Sequence, residues 1–315
     1  MPSQPRMTLP LTHHGLQRLR LLGCMLALLL IAGCSMVRVG YGQLDTVASW
    51  MVHDYFDLEP LQRETFSRRF EQLHGWHRRE QLPEYVQFLN ETRSRAQRGL
   101  TAADVLWLID GMKSRYGVIA ARAAPDVAEL LAGLSAAQID HLRGEFDRMN
   151  QKFLKENRTL ESVAARRQHQ QRSSLKQIRQ WTGSLSEAQE ARVFSMLQQV
   201  PLTDALRHED RLRRQREFLS LLETRNTDRA AFTQRLRDWL VNWERNRPPE
   251  LARSFEESWK KRAEFFAAVD KMLTAEQRSH VAQRLQDYID DFRYLSAQKT
   301  TVAQKDWAKI GPPKD

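Results

Sequence analysis

The sequence contains only two cysteines, Cys24 and Cys34, and both lie within its first 34 residues. A disulfide framework, a cysteine-bound metal and a redox dithiol are therefore excluded from residues 35–315. Only a thiol in the first segment is left to explain.

Glycine and proline are also sparse, with 13 and 11 copies in 315 residues, and several of them fall in short junctions such as Asn246–Glu250. No stretch alternates apolar and polar residues for long enough to form a strand. Apolar residues instead recur three and four positions apart, as at Leu285, Tyr288, Ile289 and Phe292. The sequence predicts an all-α fold, a bundle of long amphipathic antiparallel helices.

The same periodicity predicts where each helix begins and ends. The predicted helices cover residues 43–56, 60–79, 83–98, 101–123, 125–132, 135–181, 186–198, 203–223, 227–246, 248–272 and 274–297. We expect the range 135–181 to break near Asn157 or Ser173. Residues 34–298 are predicted to form one all-helical domain, followed by a flexible tail over residues 299–315.

Acidic side chains are absent from the first 33 residues, whereas Arg6, Arg18 and Arg20 precede an apolar run. This run covers residues 21–31 and ends at Ala32 and Gly33, which is the layout of a secretory signal. It is shorter than the ~20 residues that span a bilayer. We therefore predict a cleaved signal peptide over residues 1–33, with translation starting at Met1 or Met7.

Residues 30–34, Leu-Ile-Ala-Gly-Cys, resemble the bacterial lipobox, in which the cysteine is lipidated and becomes the first residue of the mature chain. The resemblance implies cleavage between Gly33 and Cys34 and a palmitate-bearing anchor on Cys34, which several acyl chains would hold firmly in the membrane. Cys24 follows Arg20 too closely to be the acceptor. By the same resemblance, Ser35 favours the outer membrane over the inner, with the protein facing the periplasm.

A five-residue box with the pattern Leu-[Ser/Thr]-x-x-Gln recurs at residues 134–138, 185–189 and 273–277. Degenerate copies occur at residues 58–62 and 100–104. A Ser or Thr followed three positions later by Gln is a capping box at a helix start. The predicted capping pairs are Ser135 with Gln138, Ser186 with Gln189, and Thr274 with Gln277.

These boxes also resemble the signature of Spy-like periplasmic chaperones, whose helical cradle holds unfolded clients. A broader resemblance is to an uncharacterised family of proteobacterial lipoproteins, a domain of unknown function. Besides the lipobox, it is carried by residues 40–45 (GYGQLD), 55–62 (YFDLEPLQ) and 73–85 (LHGWHRREQLPEY). That resemblance spans nearly the full chain and implies no catalytic residue.

No catalytic or metal-binding motif is complete in this sequence. His74 and His77 lack a third ligand. His208-Glu209 opens a zinc-protease motif without finishing it, so His208 and Glu209 are expected to face solvent. The acidic cluster at residues 287–291 lacks a visible concave site. We predict a protein with no catalytic residue, no metal and no cofactor, which is not an enzyme.

Basic residues outnumber acidic ones, giving a net charge of +10. The basic runs at residues 166–172 and 211–216 are predicted to be solvated helix faces, or alternatively contacts for anionic lipid headgroups. Nucleic acid is not an expected partner in the envelope. Most tryptophans, including Trp239 and Trp243, are predicted to anchor helix packing, with an exposed ridge as the alternative for this pair.

Together these features predict a lipid-anchored envelope lipoprotein that works as a non-enzymatic helical binding or chaperone-like module. The alternative is a structural or assembly factor that docks to one envelope protein. The expected partners are the membrane, through lipidated Cys34, and an envelope protein client. The sequence gives no indication of an oligomeric state.

Overall fold

The computed structural model describes residues 36–298, which are almost entirely helical and contain no strand. The predicted all-α fold is therefore confirmed. The helices are α1 (Met36–Gly42), α2 (Leu44–Phe56), α3 (Pro60–Trp76), a π-helical segment (His77–Gln81), α4 (Leu82–Arg98), α5 (Ala102–Ala132), α6 (Ala136–Glu156), α7 (Val163–Thr182), α8 (Glu187–Leu197), α9 (Asp204–Glu223), α10 (Arg229–Val241), α11 (Pro249–Lys271) and α12 (Ala275–Ala297).

Residues 1–35 and 299–315 lie outside the described part of the chain. The predicted signal peptide, the lipidation site at Cys34 and the predicted tail fall there. Helix α1 belongs to a first compact unit that ends at Leu44, and the remaining helices from Asp45 onward belong to a second. None of the helices within residues 36–298 is long and apolar enough to cross a bilayer.

Helices α3 and α4 form one continuous helical run rather than the two separate helices predicted. The five residues of the π-helical segment join them, and Pro83 lies in the first turn of α4. The run continues through Pro83, although proline has no N–H to donate, and the adjoining Leu82 is buried at 1% exposure. The predicted gap at residues 80–82 is therefore wrong.

The predicted break after residue 123 is also wrong, since Pro125 lies inside the 31-residue helix α5. Losing one backbone hydrogen bond there does not end the helix, because the residues around Pro125 are buried in the core: Ala124 is 0% and Ala128 2% exposed. The predicted break near Asn157 is correct, whereas Ser173 lies inside helix α7.

Two hydrophobic cores hold the helices of the second unit together. The first is formed by α5, α6, α9 and α10 and includes Leu131, Leu142, Phe218, Leu222 and Phe232. The second is formed by α7, α8 and α11 and includes Ile178, Val193, Leu197, Phe265 and Val269. Each fully buried side chain of this size contributes about 1.5–3 kcal/mol.

The helix starts that carry the glutamine boxes meet in pairs. The Gln62 and Gln138 amides hydrogen-bond each other, with Gln138 Nε2 donating to Gln62 Oε1 at 2.7 Å. The Gln189 and Gln277 amides do the same at 2.8 and 3.0 Å. Each glutamine also donates to a backbone carbonyl of the other box's helix start or adjoining loop. One pair therefore joins α3 to α6, and the other joins α8 to α12.

Candidate functional site

A cleft with a volume of about 690 Å³ lies between helices α6, α9, α10 and α11 and the segment that follows α10. This size suits a ligand of a few hundred daltons. The cleft adjoins the first core, because Phe146, Phe218 and Trp239 belong to both.

Helix α9 supplies one wall through side chains that repeat with helical spacing. Arg207, Arg211, Arg214 and Phe218 are separated by four, three and four residues, so they lie along one face. Phe255, Trp259 and Arg262 repeat in the same way on helix α11. Each wall therefore carries both arginines and aromatic rings.

Aromatic rings line most of the apolar surface of the cleft. They come from four parts of the chain: Phe146, Phe153, Phe218, Trp239, Trp243, Phe255 and Trp259. Several guanidinium groups stack on these rings, including Arg214 at 4.4 Å from the centroid of Trp239 and Arg247 at 4.1 Å from that of Phe255. Such stacking holds a guanidinium flat and leaves its edge free to donate hydrogen bonds.

Five arginines line the cleft, namely Arg207, Arg211, Arg214, Arg247 and Arg262, against a single carboxylate, Asp210. Asp210 is 6% exposed and is shared by two arginines. It accepts hydrogen bonds from Arg213 at 2.7 and 3.0 Å and from Arg247 at 2.9 Å. Burial alone would raise the pKa of Asp210, but these hydrogen bonds outweigh burial and keep the pKa below its ordinary value.

The other four guanidinium groups form no ion pair with any carboxylate of residues 36–298. Arg211 donates to Asn150 at 2.8 Å, Arg214 to the backbone carbonyl of Trp243 at 3.3 Å, and Arg262 to Thr203 at 2.9 Å. Arg207 is exposed at the mouth and lies over the ring of Phe153. The cleft therefore has an uncompensated positive charge.

Burying these positive charges disfavours the charged form of two of the arginines, which lowers their pKa values. Burial lowers the pKa of Arg214, against an opposing attraction from Asp210. Burial also lowers the pKa of Arg262, and repulsion from Arg207 lowers it further. Because guanidinium remains charged at neutral pH, an anion between Arg207 and Arg262 would be attracted to both.

The residues singled out in the sequence as a site are not in this cleft. Ser135, Ser186 and Thr274 each accept a hydrogen bond from the backbone N–H of Gln138, Gln189 and Gln277, in the geometry of a capping box. Their position is structural, at helix starts. Gly33 and Cys34 lie outside the described residues.

The histidines considered as metal ligands are likewise elsewhere. His77 borders the π-helical segment and hydrogen-bonds the hydroxyl of Tyr85 at 3.2 Å. Burial, reinforced by His74, lowers the pKa of His77 to about 4. No group of three or more metal-binding side chains occurs within residues 36–298. His208, expected to face solvent, instead stacks on Phe153, while Glu209 is exposed as expected.

The sequence does not indicate the cleft arginines, because a basic run such as residues 211–216 is typical of a solvated helix face. That interpretation is wrong for Arg213, which is 8% exposed, and correct for Arg216. The four- and three-residue spacing of Arg207, Arg211 and Arg214 was the available signal. Of the tryptophans predicted to pack inside, Trp50 is 53% exposed.

Fold and site together define an all-α protein with a cationic, aromatic-lined cleft. A family of unknown function, DUF6279, matches residues 54–251, which is more than half of the chain. The chain therefore belongs to this family, and the resemblance to an uncharacterised family is confirmed. The resemblance to Spy-like chaperones stays a prediction. No curated protein and no solved structure matches the chain.

Proposed function

We propose that this protein is a non-enzymatic binding module of the bacterial cell envelope, and that its cleft takes up anionic ligands with an apolar body. The observation that carries the proposal is the set of four arginines without a carboxylate partner beside seven aromatic rings. A buried positive charge without a partner is costly, and a bound anion would repay that cost. A compact cleft favours a defined ligand over the broad client surface of a chaperone.

In this proposal, acyl chains on Cys34 hold the module at the membrane, on the periplasmic side and most simply at the outer membrane. The lipobox-like residues 30–34 and Ser35 support this placement. Anchoring at a lipid surface would bring the cleft close to anionic amphiphiles.

The test of the binding function is a titration with anilinonaphthalene sulfonate, a fluorescent probe that combines an anionic group with aromatic rings. We expect saturable binding to the wild-type protein. Arg207→Gln combined with Arg262→Gln should weaken binding at least about tenfold, because hydrogen bonds to a charged group are lost.

Matched controls are Arg216→Gln on helix α9 and Arg253→Gln on helix α11, since both arginines are exposed and neither lines the cleft. Both controls should bind the probe as the wild type does. Equal affinities in the cleft variant and the controls would overturn the binding function.

A second candidate function is docking to one envelope protein as an assembly factor. It is favoured by an exposed apolar row on helix α2, formed by Val47, Trp50 and Met51, which are 45%, 53% and 49% exposed. A photo-crosslinking amino acid in place of Trp50 should then join one envelope protein in high yield in cells. Crosslinking to lipid alone would contradict this candidate.

A further inference from the structure

The polar groups of the cleft that remain available are donors. Every side-chain oxygen that lines it already accepts a hydrogen bond. Asp210 is occupied by two arginines, Thr203 and Ser258 accept from Arg262, and Gln215 accepts from Asn150. Each side-chain oxygen of the cleft therefore already has at least one donor.

Donors, by contrast, are in excess. The Arg207 guanidinium has no hydrogen-bond partner among the described residues, and Arg211, Arg214 and Arg262 each use only part of their five side-chain N–H groups. The indole Nε1 of Trp239 is buried without a partner in the described part of the chain. A ligand for this cleft must supply acceptors.

This imbalance selects against an extended peptide as the occupant. A peptide brings one N–H donor per residue, and an unpaired buried donor costs much of the affinity that its other contacts provide. A carboxylate or phosphate accepts hydrogen bonds only, and a hydrocarbon chain needs none. A ligand composed of these two parts brings no donor of its own that the cleft would leave unpaired.

The cleft has two arginines at one end and two stacked aromatic rings at the other, with the Arg214 guanidinium over one of these rings. Arg207 and Arg262 both line the cleft near the start of helix α9, where Arg262 donates a hydrogen bond to Thr203 at 2.9 Å. At the other end, Phe218 and Trp239 stack at 5.0 Å on the first core. From Arg207 to Phe218 the helix rises about 16 Å, a length that suits an acyl chain.

We propose that the cleft binds a single-chain lipid anion, with its carboxylate or phosphate head between Arg207 and Arg262 and its acyl chain along Trp239 towards Phe218. This inference rests on the proposed binding function and names the ligand class. A free fatty acid and a monoacyl phospholipid share this chemistry.

The test uses the mature chain and calorimetric titrations below the aggregation concentration of each lipid. Dodecanoate should bind, and lengthening a short fatty acid should raise affinity about three- to fourfold per methylene until the cleft is full. Dodecanol, with the same chain and no charge, should bind at least about tenfold more weakly. Arg207→Gln with Arg262→Gln should remove that difference, whereas Arg216→Gln should keep it.

A second measurement, of tryptophan fluorescence, tests the proposal without any arginine variant and so does not depend on whether such a variant folds. Stearate brominated along its chain should quench tryptophan fluorescence, and Trp239→Phe should remove much of the quenching, because the bromine would lie beside that indole. Quenching that is unchanged in Trp239→Phe, while Trp243 and Trp259 remain, would contradict the proposed direction of the chain.

The outcomes separate this inference from the function on which it rests. Stronger binding of dodecanoate would identify a free fatty acid as the ligand, and stronger binding of monododecanoyl phosphatidylglycerol would identify a monoacyl phospholipid. Either result supports the inference. Arginine-dependent binding of anilinonaphthalene sulfonate or an acidic peptide, without binding of either lipid, would overturn the lipid assignment and leave the binding function intact. Failure of every anion to bind would overturn both.

Discussion

Asp210 is the residue on which the arginine arrangement of the cleft depends. Its two oxygens bind Arg213 and Arg247, and these two arginines also bind Glu217 and Glu244, at 2.7 and 2.9 Å. The Arg247 side chain is 5% exposed, so its charge has little access to water. A buried pair of this kind adds modest net stability, but removing one partner is costly because the other charge is then stranded.

We predict that Asp210→Asn lowers the free energy of unfolding by about 3 kcal/mol, measured by urea denaturation at neutral pH. Glu209→Gln, which removes an exposed carboxylate next to it on the same helix, should change little. Equal midpoints for the two variants would contradict a stabilising role for Asp210.

The pH dependence of this effect has a definite sign. Because the pKa of Asp210 is depressed in the folded state, its stabilisation is fully present above the ordinary value of 3.8 and is lost as the pH falls below that value. The stability difference between wild type and Asp210→Asn should therefore narrow below about pH 4. Below that pH the unfolded chain takes up the proton first, and the carboxyl of the folded protein becomes neutral, as the asparagine already is, only at a still lower pH.

At the scale of elements, the paired glutamine boxes do more than cap their own helices. Gln138 is 5% exposed; it donates to Asp57 O at 3.0 Å, accepts from Ser135 N at 3.0 Å, and bonds the amide of Gln62. It therefore closes its own helix start and holds the start of α3 against it.

We predict that Gln138→Ala destabilises the protein by about 2 kcal/mol, because the carbonyl of Asp57 and the half-buried amide of Gln62 lose their partner. Hydrogen exchange should increase near residues 57–62 as well as in the first turn of α6. Gln151→Ala, at an exposed position of the same helix, is the matched control.

A double-mutant cycle isolates the pair itself. The loss in Gln62→Ala with Gln138→Ala should be smaller than the two single losses combined, since both remove the same amide pair. Additive losses would contradict coupling between the two helix starts.

Local sequence signals predicted most helix starts because capping is a short-range interaction. The boxes at Ser135, Ser186 and Thr274 place α6, α8 and α12 within one residue of their observed starts. Helix α1 lies outside the predicted helices, and the failures at Pro83 and Pro125 have the opposite cause. There, packing over long sequence distances decides whether a proline ends a helix.

Neither the pairing of the boxes nor the burial of arginine in the cleft could be predicted from the sequence, for the same reason. Gln62 and Gln138 are 76 residues apart, and nothing local in either box specifies the other. Within the run at residues 211–216, the sequence does not show that Arg213 is buried and Arg216 is exposed. Charged residues are mostly exposed, so the burial of Arg213 could not be predicted without its partners. These are Asp210 and the carbonyl of Trp243, to which Arg213 donates at 3.2 Å.

At the scale of the whole molecule, the chain combines a basic N-terminal segment, which ends at a lipobox-like cysteine, with a helical unit whose cleft is cationic. The two features are encoded separately, since Cys34 and the cleft residues are more than a hundred positions apart. Anchoring and ligand binding should therefore be separable by mutation. Affinity for dodecanoate should survive a change that abolishes anchoring.

We predict that wild-type protein expressed in a bacterial host that processes lipoproteins fractionates with membranes, and that its N-terminal peptide begins at an acylated Cys34. Cys34→Ala should abolish the acyl mass and the processing at Gly33, because no other side chain at that position offers a thiolate nucleophile. Cys24→Ala is the matched control and should leave both unchanged. Mass spectrometry of the N-terminal peptide decides between the outcomes. An unmodified leader in the wild type, or loss of the acyl mass in Cys24→Ala, would contradict anchoring through Cys34, while the cleft's affinity for anionic amphiphiles would still stand on its own measurement.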